Sequence, residues 1–205
     1  IINYKVKTRR DKMLVILYGQ TGAGKDYIAR KLLGSLGVDA YLAKRPTTRP
    51  KRSDKEEAYY QFLTDEAFQK GVEKKEILFP KVFNNWNYGV YFGITAQARD
   101  KESIYLMTCE KETAFEVADW VGKSDDTNVM LIEIVADEKI RMERAKGRQK
   151  NPDVNEIKRR IEADKKDYAE IDRKPDTYYF SDTPFVWMAL SALQDKIMEK
   201  LKENN

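Results

Sequence analysis

The chain has 205 residues, 41% hydrophobic and 35% charged, which is enough for one domain with a real core and too evenly signed for a disordered tail. Thirty-eight Lys+Arg against 34 Asp+Glu leave +4, an excess that by itself does not argue for nucleic acid. There is no histidine and one cysteine, Cys109. This excludes His-dependent nucleophile systems, His-ligated zinc, internal disulfides and cysteine metal clusters, and suits a reducing cytoplasm.

Residues 1–12 are basic (Lys5, Lys7, Arg9, Arg10, Lys12) and no apolar signal core follows them, so they receive no role. Met13–Tyr18 is a continuous apolar run of strand length, suited to a strand buried on both faces and far too short to cross a membrane. Gly19-Gln20-Thr21-Gly22-Ala23-Gly24-Lys25 then fits G-x-x-x-x-G-K, and a helical pattern opens behind it (Ile28, Leu32, Leu33, Leu36). Glycines let the chain turn so that successive N–H groups face phosphate oxygens. The helix N-terminus adds partial positive charge, and Lys25 reaches the phosphates. Asp26 stands where a Mg²⁺-binding hydroxyl normally follows the lysine. It is either a metal ligand or a favourable first-turn acid.

After a second strand comes Arg45-Pro46-Thr47-Thr48-Arg49-Pro50-Lys51-Arg52, whose cations suit a second phosphate. Residues 53–93 carry short aromatic, strand-like bursts (Tyr60, Phe62, Ile77, Phe79, Phe83, Trp86, Tyr88) with little helix between, which predicts a small β-rich insertion. Apolar runs at Ile104–Met107 and Val129–Ile134 are each followed by a helical segment, Glu110–Val121 and Asp137–Lys146. That alternation predicts an α/β fold with a parallel sheet core flanked by helices. Asp153–Ile171 is a further helix, and Leu190, Leu193, Ile197 and Leu201 form the core stripe of the last.

These elements in this order resemble the guanylate kinase family from Met13 to about Leu201. The resemblance rests on Gly19–Lys25, Thr47-Thr48-Arg49-Pro50-Lys51-Arg52, Tyr60-Gln61-Phe62, Tyr88-Gly89, and Arg144-Ala145-Lys146-Gly147-Arg148 with Arg159-Arg160. It implies a P-loop kinase with an acceptor-binding insertion (about 53–93) on a core of 13–52 and 94–205, and a helical lid (about 138–160). It implies that Gly19, Gln20, Thr21, Gly22, Ala23, Gly24, Lys25, Asp26 and Tyr27 bind ATP. Arg45, Arg49, Arg52, Tyr60, Phe79, Tyr88 and Thr108 then bind the acceptor. Lys25, Arg49, Arg144, Arg148 and Arg160 serve catalysis, and Mg²⁺ accompanies ATP with Asp26 as its ligand. The implied partners are ATP and a phosphorylated small molecule, not nucleic acid or membrane.

The chain departs from the family at the base-reading positions. An ungapped match puts Phe79 where the family has its guanine-reading acid, Val90 after the Tyr-Gly, Arg45 before the Thr-Thr, and about Thr108 at the second base-side acid. Phe79 either lines an acceptor pocket or is core, with Glu76 as the reader. The family default is GMP or dGMP. Ribose 1,5-bisphosphate phosphokinases share the Gly24-Lys25-Asp26 and Tyr88-Gly89-Val90 runs, so a non-guanine acceptor is one alternative and a non-catalytic binding module is the other.

Overall fold

The computed structural model describes residues 13–36, 39–51, 53–83, 85–93, 103–123, 128–147 and 152–203. Its larger sheet has five parallel strands in the order β2-β7-β1-β8-β9. They are β1 (Met13–Tyr18), β2 (Ala40–Leu42), β7 (Ile104–Cys109), β8 (Asn128–Val135) and β9 (Thr177–Phe180). All six residues of the central strand β1 are fully buried. Side chains alternate across a strand. Met13, Val15 and Leu17 therefore meet Leu32 of α1 (Lys25–Leu33) and Leu190, Leu193 and Ile197 of α6 (Val186–Lys202). Leu14, Ile16 and Tyr18 meet Phe115, Val117 and Val121 of α3 (Lys111–Gly122) on the other face. A strand apolar at every position is thus explained by two cores, one per face.

The smaller sheet has the order β4-β3-β6-β5, with β3 (Arg45–Thr47), β4 (Tyr60–Phe62), β5 (Ile77–Phe83) and β6 (Trp86–Tyr91). It begins at Arg45, because β3 pairs with both β4 and β6. A short 3-10 helix, Asp54–Ala58, leads into β4. The insertion also holds a full helix, α2 (Asp65–Glu73), where the sequence reading expects little helix. Thr64 caps it by accepting the Ala67 N–H, and Phe68 and Gly71 are its only buried residues. Two buried positions are too few to show as helical periodicity.

α4 (Glu138–Lys146) and α5 (Val154–Glu170) follow β8. They join through Ala145, Ile157 and Ile161, with Met142 packed alongside. The end of α5 is tied to the start of α3, since Lys111 Nζ donates to the Ile171 carbonyl at 2.6 Å and lies 4.6 Å from the Tyr168 ring centre. A cation there satisfies a carbonyl at a helix C-terminus. Among the described residues, no helix is long and apolar enough to cross a membrane.

Candidate active site

One cleft lies at the carboxyl ends of β1 and β7, where open α/β sheets place their ligands. It is lined by Gly19, Thr21, Gly22, Lys25 and Asp26 on one side and by Arg49, Glu56, Tyr60, Phe83 and Tyr88 on the other. Cys109, Glu110 and Lys111 also line it, as do Arg160, Asp164, Asp167 and Tyr168 of α5.

The glycine loop is shaped by what holds its carbonyls. Arg141, buried on α4, donates to the Thr21 carbonyl at 3.3 Å and the Ala136 carbonyl at 3.2 Å. Arg144 donates to the Ala23 carbonyl at 3.4 Å and to Ser181 Oγ at 2.8 Å, and Ser181 Oγ donates to the same Ala23 carbonyl at 2.6 Å. These carbonyls are engaged by α4 and Ser181, and the Ala23 N–H closes the turn on the Gln20 carbonyl at 3.0 Å. Gly22 has φ +83° and packs against the Arg141 carbonyl so closely that a Cβ would collide with it. Gly24 caps α1 at φ +98°. Both positions favour glycine. Lys25 Nζ donates to the Gly19 carbonyl at 2.6 Å.

Asp26 Oδ1 accepts the Thr108 hydroxyl at 2.8 Å, and the Asp26 carbonyl accepts the Tyr59 hydroxyl at 2.6 Å. Among the described residues no group of three or more His, Cys, Asp or Glu is arranged to hold a metal by itself. Mg²⁺ is usually held by one or two carboxylates together with substrate phosphates. A single oriented carboxylate beside a phosphate loop fits that donor set.

The Thr-Thr pair aims the opposite wall. Thr47 Oγ1 donates to the Asn87 carbonyl at 2.8 Å and accepts the Arg49 N–H at 3.2 Å, while Thr48 Oγ1 accepts the Asn87 N–H at 2.9 Å. Arg49 lies 5.4 Å from the Tyr60 ring centre and 5.6 Å from that of Phe62, and its guanidinium grips Glu56 at 2.9 and 3.2 Å. Burial works against its charge, but Glu56 more than offsets this and holds its pKa above the ordinary value. Tyr60 and Tyr88 meet edge to face at 6.5 Å. Burial pushes the Tyr60 hydroxyl up, so it remains a neutral donor at physiological pH. The Cys109 thiol is likewise pushed up, to about 12, mainly by burial, and is not a thiolate nucleophile.

The structure brings Gly19, Thr21, Gly22, Lys25, Asp26, Arg49, Tyr60, Tyr88 and Arg160 to this one cleft. Arg160 places its guanidinium 5.4 Å from the Phe83 ring centre, and its buried Nε has no hydrogen-bond partner among the described residues. Gln20, Ala23 and Gly24 belong to the loop without lining the cleft. Thr108 is buried and donates its hydroxyl to Asp26.

Four expected site residues lie elsewhere. Arg45 is buried inside the protein, donating to the Gly89 carbonyl (3.2 Å), the Thr108 carbonyl (3.1 Å) and Glu110 (3.0 Å). It clasps β3, β6 and the end of β7 rather than an acceptor phosphate. Phe79 packs edge-on against Trp120 of α3 at 6.5 Å. A β-bulge between Leu78 and Lys81 puts one extra residue in β5, and Phe79 sits there at φ +51°. At that bulge the Phe79 ring goes to the α3 core, the second of the two places the sequence left open for it. Arg144 holds the outside of the phosphate loop. Tyr27 is exposed on α1, its ring 5.5 Å from Lys31 Nζ. Arg52 and Arg148 lie outside the described residues.

Sequence reasoning missed Glu110, Arg141, Lys111 and Asp164. Glu110 lines the cleft two residues beyond Thr108, where the second base-side acid was expected. Burial raises its pKa, but the Arg45 charge and hydrogen bond prevail and hold the carboxyl below the usual range. An acid at the carboxyl end of a buried parallel strand is the signal that marks it.

The parallel sheet, the glycine loop after its central strand, and an arginine–tyrosine wall facing that loop define an α/β phosphate-loop protein. The guanylate kinase family model matches residues 11–178, and the chain belongs to that family. Guanylate kinase from Prochlorococcus marinus is 31% identical over 107 residues, covering 52% of this chain and 58% of that one. Guanylate kinase from Campylobacter jejuni strain RM1221 is 29% identical, covering 51% of each. The chain thus spans about half the length of these curated relatives. Guanylate kinase from Mycoplasmoides gallisepticum is 25% identical over 167 residues, covering 80% of this chain and 82% of the relative. The crystal structure of guanylate kinase from Anaplasma phagocytophilum superposes with a TM-score of 0.64 at 17% identity, covering 95% of this chain and 88% of that one, a likeness of fold.

Proposed function

We propose that the protein transfers the terminal phosphoryl group of ATP to a nucleoside monophosphate, with GMP or dGMP as the acceptor by family default. The observation that carries this reading is the cleft itself. The glycine loop with Lys25 shares it with Arg49, Tyr60, Tyr88 and Arg160. Phosphoryl transfer asks mainly for positioning and for positive charge around the moving group, which a chain without histidine can supply.

In this reading the loop amides and Lys25 hold the ATP phosphates, and Arg49 with the Tyr60 and Tyr88 hydroxyls holds the acceptor phosphate. Arg160 projects the third cation from α5. Asp26 would hold Mg²⁺ together with the phosphates, and the ion would supply positive charge against the phosphate oxygens. Glu110, with one oxygen fixed by Arg45, supplies a carboxylate at the acceptor side. The test is ADP release from ATP and Mg²⁺ with a panel of ribo- and deoxyribonucleoside monophosphates and ribose 1,5-bisphosphate. GMP and dGMP should be the best acceptors. A best rate with a phosphorylated sugar, or none with any acceptor, overturns the proposal.

A further inference from the structure

Asp164 lies at the middle of α5 and reaches into the cleft beside Gly19, Gly22 and Lys25. Its Oδ2 accepts the main-chain N–H of Thr21, 143 residues earlier in the chain. Thr21 belongs to the loop whose carbonyls are taken by Arg141, Arg144 and Ser181, so this N–H is one of the donors the fold turns toward an anion. The anion found on it is a carboxylate of the protein itself.

The rest of α5 gives Asp164 no other reason to be acidic. Arg160, one turn earlier, forms no ion pair with it among the described residues and lies over Phe83 instead. Asp167, three residues on, is an unfavourable neighbour. Burial first, and then the charge of Asp164, push its carboxyl above the usual range. Two acids next to a phosphate pocket repel whatever anion enters it. The far end of α5 is meanwhile fixed by Lys111 on the Ile171 carbonyl. The helix is therefore anchored at one end and latched onto the loop at its middle.

We propose that Asp164 is a phosphate surrogate, latching α5 onto the glycine loop through the Thr21 amide, and that an incoming polyphosphate must displace it. One amide cannot serve a carboxylate and a phosphate oxygen at once, so the latch and the ligand compete. The proposal rests on the polyphosphate-binding reading of the loop, but not on which acceptor is phosphorylated.

The test is calorimetric titration of the whole chain with ATP and, separately, with inorganic tripolyphosphate, together with hydrogen exchange at the Thr21 amide without either ligand. Asp164→Ala places a strong helix former at a half-exposed position, so folding is not at stake. It should bind both probes about tenfold more tightly than the unaltered chain. Asp164→Asn keeps an acceptor oxygen without the charge and should fall between. Thr21 should exchange faster in Asp164→Ala. Equal or weaker binding by Asp164→Ala, or unchanged exchange at Thr21, overturns the latch. So does a weakening of ATP binding seen only when the titration is repeated with Mg²⁺, which would make Asp164 a metal-side ligand. Tighter binding without transfer to any acceptor keeps the latch and removes the kinase reading, and transfer with equal binding does the reverse. No binding of either probe by either chain removes both.

Discussion

Replacing Arg45 with methionine separates a structural clasp from a substrate ligand. Arg45 is 2% exposed and donates to two main-chain carbonyls and to Glu110. Methionine fills much of the space but donates nothing. The Gly89 and Thr108 carbonyls lose their charged donor, at about 1–3 kcal/mol for each group left unsatisfied. Losing the ion pair adds less than a fully buried pair would, because the Glu110 side chain is 45% exposed. Apolar packing by methionine offsets part of this. The net loss should be about 3 kcal/mol, or a fall in Tm of roughly 6–12 °C for a domain of this size. Urea unfolding of Arg45→Met, Glu110→Gln and the double variant measures it, and the cycle should show coupling of about 1 kcal/mol or more. A loss under about 1 kcal/mol, with no coupling, would refute the clasp.

The same pair governs acid stability. Glu110 has its carboxyl held below the ordinary range by Arg45. Its contribution is therefore complete above the unfolded carboxylate range and fades as pH falls through the lower folded value. The stability gap between the unaltered chain and Arg45→Met, followed by denaturant unfolding from pH 7 to about pH 3, should narrow toward acid. A gap that widens toward acid contradicts that sign. Phe79→Ala should cost about 2 kcal/mol by removing the ring from Trp120 while leaving acceptor preference unchanged, and comparing KM across the acceptor panel checks it. A shift in preference at unchanged stability would return Phe79 to the pocket.

Much of the core was legible because its signals are local. Met13–Tyr18 is apolar at every position because both faces are covered, and the glycines at 19, 22 and 24 follow at motif spacing. The strand survives as read, and Gly22 and Gly24 take the positive φ of a tight turn. What sequence does not display is which of several like residues turns inward. Arg45 and Arg49 stand four apart in one cationic run, yet the first is sealed behind β6 and β7 while the second stands on the cleft wall. Arg141 and Arg144 share one helix, and both hold loop carbonyls rather than facing the cleft. Phe79 sits in a bulge of one residue, which no pattern of apolar and polar residues announces. The bond of Asp164 to Thr21 spans 143 residues and leaves no mark in either segment.

In the proposed reaction one cleft gathers two phosphorylated ligands so that a phosphoryl group passes between them. Following the label of ATP carrying a radioactive γ-phosphate, with GMP and Mg²⁺ present, tests it most directly. Label should appear in the nucleoside diphosphate, at a rate at least about 100-fold lower in Lys25→Ala with the fold intact by circular dichroism. Label appearing only as inorganic phosphate, or moving to GMP as fast without the Lys25 ammonium, would contradict it.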